Sequence, residues 1–330
     1  MTREGGAGGG TASRAEPFAA RIERWLRRQG VLPVAVEPLA GDLSTRSYYR
    51  VRVAAGASLL VASYPRDLAP AQERFARAAE LLRGAGIRVP RIAADDRARG
   101  LVLLEDLGPR TLYESASGWV EAARELTAAM EILGRVRALP AAAVEALGSP
   151  PLDRALLTSE LERSVRVCLA PRGWADEALV AALAELCARL GEEPAVPCHR
   201  DFMARNLVPD GAGGLGVLDF QDLRLGPPAY DLAALLNDSL FADPASERRA
   251  LAVGWARRLE PEQYGRSVVQ RTLKAAGTFA AFAASGRGQH LALLEPTLAR
   301  AAPHLARLPE TAAAFRRLAP RWPRPTSAVC

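Results

Sequence analysis

The sequence predicts an α+β fold in two lobes, a small antiparallel sheet on the N-terminal side and a larger helical part after it. Three observations lead there. β-branched and aromatic runs broken by turn residues gather before residue 105. Apolar residues at helical spacing dominate beyond it. With 330 residues, 49% hydrophobic and 24% charged, the chain has apolar side chains enough for two packed lobes. Residues 1–15, rich in Gly, Ala, Ser and Thr, are expected as a flexible tail, 16–105 as the sheet lobe and 106–330 as the helical lobe.

From Glu16 to Gln29, Phe18, Ile22, Trp25 and Leu26 recur on one side of a helix, and Gly30 follows where a helix end favours a residue tolerant of positive φ. The runs 47–53 and 58–64, separated by Ala54-Ala55-Gly56-Ala57, read as a β-hairpin. Pro70 is suited to open a helix carrying Phe75, Ala78, Leu81 and Leu82 to Gly84, expected to lie across the small sheet. Strands are expected at Arg88–Ala93 and Gly100–Leu104. Helical patterns then occupy 117–138, 153–169, 174–190, 229–242, 246–259 and 263–284. A turn-punctuated β segment at 196–220 interrupts them, the kind of loop-rich insertion on a scaffold where an active site is expected.

Composition excludes several classes. The four cysteines, Cys168, Cys187, Cys198 and Cys330, have neither C-x-x-C spacing nor a dense framework, so free thiols in a reducing, cytoplasmic setting are expected. No segment approaches about 18 consecutive apolar residues, so no membrane span is predicted. The net charge of +6 is dispersed without a basic run or interleaved aromatics, which argues against a nucleic-acid partner and leaves a nucleotide as a sufficient anion. Arginine carries nearly all of that positive charge, because Lys274 is the only lysine.

The chemistry concentrates at His199-Arg200-Asp201, four further residues and Asn206, followed by Asp219-Phe220. This matches the kinase catalytic-loop pattern H-R-D-x-x-x-x-N with an Asp-aromatic metal motif. Phosphoryl transfer needs a carboxylate to orient and accept the proton of the attacking hydroxyl, a task for Asp201. It also needs hard oxygen donors for Mg²⁺, for which Asn206 and Asp219 are the candidates, with ATP as the phosphoryl donor. Singly, each residue is commonplace in turns and strand ends; their order and spacing together carry the reading. His199 is expected to brace the loop backbone. The string Gly211-Ala212-Gly213-Gly214-Leu215-Gly216 satisfies G-x-G-x-x-G, yet it precedes a strand rather than a helix and reads as a hairpin turn.

These motifs resemble the aminoglycoside phosphotransferase and choline kinase superfamily from about residue 16 onward. Residues 198–208 and 216–238, with 86–90 and 103–108, are most similar to bacterial kinases that phosphorylate N-acetylmuramate or N-acetylglucosamine at C1. The resemblance implies a bilobal protein-kinase-like fold with ATP between the lobes. By it, adenine meets the backbone near Glu105–Leu107, Ser44, Thr45 and Arg46 cover phosphates, Asp231 supports the catalytic loop, and Gln221, Asp222 and Arg224 line the sugar side. It further implies a sugar 1-phosphate product for a nucleotidyltransferase in peptidoglycan recycling. Two features depart from the superfamily. Gly41–Ser47 replaces the glycine-rich phosphate loop, and Leu60-Val61-Ala62-Ser63 lacks the phosphate-binding lysine, so either Arg46 or Arg50 is expected to supply the charge or magnesium and backbone suffice, and Glu73 is expected as a surface residue. The rival readings are a kinase of another small hydroxyl compound (an aminoglycoside, choline or homoserine) and a catalytically weak nucleotide-binding regulator.

Overall fold

A computed structural model describes residues 18–39, 46–237 and 243–324. Ser44 and Thr45 lie outside the described residues. The chain divides into two compact units, one made of residues 1–69 with 91–106, the other of 70–90 with 107–330.

The first unit is a five-stranded antiparallel sheet with one helix. Helix α1 (Phe18–Arg28) buries Ile22, Trp25 and Leu26, and Gly30 at φ +77° ends it, the Val31 N–H closing back on the Leu26 carbonyl. Strands β1 (Pro33–Leu39), β2 (Ser47–Val53), β3 (Ser58–Ser63), β4 (Ile92–Asp96) and β5 (Leu101–Glu105) follow in sheet order β1-β2-β3-β5-β4. β1 carries Pro33 and Pro38, opposite Val53 and Tyr49, and such residues are tolerated there because the strand lies at the sheet edge. The strand expected from Arg88 starts only at Ile92, since Pro90 has no N–H to give a ladder. The core of this unit joins the α1 residues to Val51, Val61, Leu101 and Leu103. Each fully buried aliphatic side chain contributes about 1.5–3 kcal/mol.

Helix α2 (Ala69–Gly84) does not complete the sheet unit, contrary to the sequence expectation; residues 70–90 group with the helical unit. The cause is packing and hydrogen bonding. Phe75 stacks on Phe220 with centroids 4.7 Å apart, Arg135 donates to the Gly86 carbonyl at 2.9 Å, and the Val217 N–H donates to the Arg88 carbonyl at 2.8 Å.

The rest of the second unit is mainly helical: α3 (Leu112–Ser115), α4 (Ala123–Arg137), α5 (Ala141–Glu145), α6 (Arg154–Ser164), α7 (Glu177–Glu192), α8 (Tyr230–Leu236), α9 (Pro244–Leu251), α10 (Pro261–Ala284), α11 (Leu294–Arg307) and α12 (Ala312–Leu318). Asp153 and Asp176 cap α6 and α7 by accepting from the N–H groups of Leu156 and Leu179. A wider π turn over Val165–Leu169 ends the segment expected as one helix over 153–169. Between α7 and α8 lie β6 (Val196–Cys198), β7 (Leu207–Pro209), β8 (Leu215–Val217) and β9 (Arg224–Gly226), paired β6 with β9 and β7 with β8. Among the described residues no helix is long and apolar enough to cross a membrane.

Helix α10 is the axis of this unit. A Glu260–Gln263 capping box and Pro261 at its first position start it, and it packs against α6, α8 and α11. It meets α6 closely at Gly277, where an added Cβ would fall 2.6 Å from the Ser164 Cβ and 2.7 Å from its Cα. Toward the N-terminal side of this approach, Glu160 lies one turn before Ser164 and faces Lys274 and Gln270, one and two turns before Gly277.

Candidate active site

The segment between β6 and β7 contains the predicted loop, and its backbone is unusual. Arg200 (φ +80°) and Asp219 (φ +57°) are the only non-glycine residues with positive φ among those described. Both lie in the candidate constellation, where strained backbone held by surrounding bonds is a recurrent feature of functional sites.

Buried Asp231, in the first turn of α8, holds the loop in that conformation. Its carboxylate accepts from the His199 N–H at 2.6 Å and the Arg200 N–H at 2.8 Å. Burial pushes the Asp231 carboxyl up, an effect opposed by His199, Cys198 and the two backbone donors. On the other side, the His199 ring Nε2 lies 3.0 Å from the Leu218 carbonyl, tying the loop to the end of β8 next to Asp219. The neighbouring Cys198 thiol is buried and its pKa pushed well up, first by burial and then by Asp231, so it is inert.

Three further bonds connect the candidate residues. The Asn206 amide Nδ2 donates to the Asp201 carbonyl at 2.8 Å, and the Leu218 N–H donates to the Asn206 carbonyl at 2.8 Å. Gln221 Nε2 donates to Asp219 Oδ1 at 2.8 Å. Asn206 and Asp219 are therefore fixed to one frame, with the Asn206 NH₂ committed and its amide oxygen turned away from the Asp201 carbonyl. The string 211–216 forms the β7–β8 turn, in which Asp210 accepts from the Ala212 and Gly214 N–H groups.

Asp201 has partners that the sequence did not reveal. Arg271 Nη1, on α10, lies 2.9 Å from Asp201 Oδ1, and Lys274 Nζ lies 3.8 Å from the same oxygen. Lys274 is also 3.4 Å from Glu160, which takes Arg200 Nη2 at 2.9 Å and Gln270 Nε2 at 2.9 Å. Arg200 Nη1 continues to Asp222 at 2.8 Å, and Arg224 Nη2 to the same residue at 3.2 Å. Burial works against the Asp201 charge, yet Lys274, Arg271 and Arg200 hold its carboxyl well below the ordinary carboxylate range. Burial pushes the Lys274 ammonium down, partly offset by Asp201. The missed signal was polarity on an apolar helix face: Gln270, Arg271 and Lys274 recur among Val268, Val269, Leu273 and Ala276.

The remaining candidates fall elsewhere. Arg224, expected on the sugar side, is buried, and its guanidinium is occupied by the Pro150 and Asp222 carbonyls and the Asp222 carboxylate, so it belongs to the frame. Gln221 is buried and engaged with Asp219, while Asp222 joins Arg200 to Arg224. In the sheet unit, Arg46 lies over the rings of Tyr48 and Tyr64, at 5.8 and 5.7 Å. Arg50 donates to Asp106 at 2.8 Å, so its charge is already matched. Glu105 ends β5, accepting from the Arg91 N–H at 3.2 Å. In the helical unit, Leu107 sits against Gly216.

A five-stranded antiparallel unit, a helical unit and a loop of this construction define the protein-kinase-like class. Within it, the chain belongs to the phosphotransferase enzyme family, whose profile matches residues 35–266. It is 34% identical over 228 residues to the N-acetylmuramate/N-acetylglucosamine kinase of Pseudomonas aeruginosa, a match that spans 65% of this chain and 63% of that one. The corresponding kinase of Pseudomonas putida is 32% identical over 266 residues, covering 73% and 74% of the two chains. In fold, the chain is similar to a choline kinase of Streptococcus pneumoniae (TM-score 0.60, 15% identity, 87% of this chain and 99% of that one). A macrolide 2′-phosphotransferase of Brachybacterium faecium has the same fold (TM-score 0.58, 17% identity, 86% and 98%).

Proposed function

We propose that this chain is an ATP-dependent kinase of the anomeric hydroxyl of N-acetylmuramate and/or N-acetylglucosamine. The observation that carries this reading is the hydrogen-bonded linkage of Asp201, Asn206 and the strand leading to Asp219, in a chain 28–34% identical to kinases named for these two sugars.

In the proposed reaction Asp201 accepts a hydrogen bond from the sugar hydroxyl and orients its oxygen toward the γ-phosphorus of ATP. The new O–P bond forms as the bond to the β-phosphate oxygen breaks, ADP leaves, and the hydroxyl proton passes to Asp201. A carboxylate held so firmly in its ionised form is a weak base, which suits an anomeric hydroxyl, more acidic than an ordinary alcohol. Asn206 and Asp219 would hold magnesium, both offering the hard oxygen donors it prefers. Magnesium held there would offset negative charge developing on the transferred phosphoryl group. The cationic surroundings of Asp201 oppose a polycationic acceptor such as an aminoglycoside. A sugar 1-phosphate is the class of product that a nucleotidyltransferase consumes, in line with a role in peptidoglycan recycling.

The test is phosphate transfer from magnesium ATP to each sugar, to other hexoses, aminoglycosides and choline, beside Asp201→Ala and Asp219→Ala. Transfer to an amino sugar that both substitutions abolish is expected. Transfer to none of these acceptors, or near full rate in Asp201→Ala, overturns the reading.

A further inference from the structure

The ion pairs joining α6, the catalytic loop and α10 are not balanced. Four cations, Arg200, Arg224, Arg271 and Lys274, share three carboxylates, Glu160, Asp201 and Asp222. Asp222 takes two arginines, Glu160 takes Arg200 and Gln270, and Asp201 takes Arg271. Lys274 is the cation left over. Its Nζ is buried and makes no hydrogen bond, standing 3.4 and 3.8 Å from carboxylate oxygens that other donors already hold. A buried ammonium that makes no hydrogen bond and shares both of its carboxylates with other cations is costly, and truncation to an apolar side chain would remove that cost. The chain instead places its only lysine there.

We propose that Arg271 and Lys274 form the subsite for a carboxylate carried by the acceptor, selecting an acidic amino sugar over a neutral one. This rests on the reading that Asp201 receives the acceptor hydroxyl. A sugar whose C1 hydroxyl is on Asp201 lies beside Lys274, which is 3.8 Å from that carboxylate. N-acetylmuramate differs from N-acetylglucosamine by a lactyl ether that ends in a carboxylate. That group supplies the anion that the four-to-three network lacks, through charge-assisted hydrogen bonds to the free donors of Lys274 and the edge of Arg271. The neutral sugar leaves Lys274 as it stands, and the difference between the two is the specificity.

The experiment compares kcat/KM of the full chain with magnesium ATP for N-acetylmuramate, its methyl ester and N-acetylglucosamine. The wild type is expected to favour the acid over the ester by about tenfold or more, the scale of one charge-assisted contact. In Lys274→Met the acid-to-ester ratio falls toward one, whatever happens to the absolute rates, and Lys274→Arg restores most of it. A wild type that uses acid and ester equally overturns the inference, as does an unchanged ratio in Lys274→Met. If Lys274→Met does not fold, the wild-type ratio alone decides. Transfer to none of the three compounds removes the functional reading and this inference with it, whereas transfer to all three without acid preference removes only this inference.

Discussion

Arg271 Nη1 donates to Asp201 Oδ1 at 2.9 Å, joining the loop between β6 and β7 to a helix 70 residues downstream. The arginine side chain is only 6% exposed and the aspartate 30%. Removing either partner leaves the other without this hydrogen bond, whereas removing both leaves neither group wanting it. We predict that Asp201→Asn and Arg271→Met each destabilise the fold, and that the double variant is less destabilised than their sum by about 1–3 kcal/mol. Urea unfolding of the four proteins gives this coupling; strict additivity would show that the pair contributes nothing.

The Asp231 carboxylate accepts both the His199 and Arg200 N–H groups, and Arg200 sits in the left-handed region. Asp231→Ala leaves two buried donors unpaired, a loss of about 2–5 kcal/mol. The loop backbone then relaxes and phosphoryl transfer is expected to fall at least tenfold. Thermal unfolding and initial rates measure both effects, and a variant with the wild-type rate would show that the loop holds its shape without Asp231.

Alanine at an exposed helix interior usually stabilises relative to glycine by about 1 kcal/mol. At Gly277 the opposite sign is expected, because the new Cβ meets not only the Ser164 hydroxyl, which can turn aside, but also the Ser164 Cα and Cβ, which cannot. Gly277→Ala should lower stability by about 1–3 kcal/mol. It should also shift Glu160 relative to Lys274. A higher urea midpoint for the variant would mean that α6 and α10 separate without cost.

Burial pushes the Glu193 carboxyl up to about 7, against the pull of Arg266. Arg266 lies 3.8 Å from Glu193 and is bonded to Glu310 at 2.7 Å, both carboxylates being nearly inaccessible. The folded state therefore keeps a proton on Glu193 that the unfolded chain releases near its ordinary value of 4.5. Between those values the folded state binds more protons, so this group's contribution to stability falls as pH rises and is lost above about 7. Glu193→Gln imitates the protonated form. Its melting temperature relative to the wild type should increase from about pH 5 to about pH 8; a constant difference would show that Glu193 titrates normally.

Helix α1, the β2–β3 hairpin, α10 and the catalytic segment were legible because their signals are local: apolar periodicity, a turn between β-rich runs, and fixed motif spacing. β1 was not, since Pro33 and Pro38 weigh against a strand until its edge position is known. Nor were α11 and α12; Pro303 inside α11 and the absence of a side-chain cap on either mask them, and packing on α10 and α7 stabilises them instead. The site divides in the same way. Asp201, Asn206 and Asp219 belong to one spaced motif, whereas Glu160, Arg271 and Lys274 converge from helices more than a hundred residues apart at their extremes. Only the three-dimensional crossing at Gly277 reveals that they are neighbours.

Because Lys274 is the only lysine in the chain, amine-selective reagents that act on side chains have a single address in this protein. That amine is buried beside Asp201, so acylation or reductive methylation there would report the opening of one position, without site-directed engineering. Kinase probes that identify nucleotide sites by acylating a lysine next to the phosphates have no such residue on the sheet to mark. A chemoproteomic survey built on that chemistry would report this protein through Lys274 or overlook it altogether.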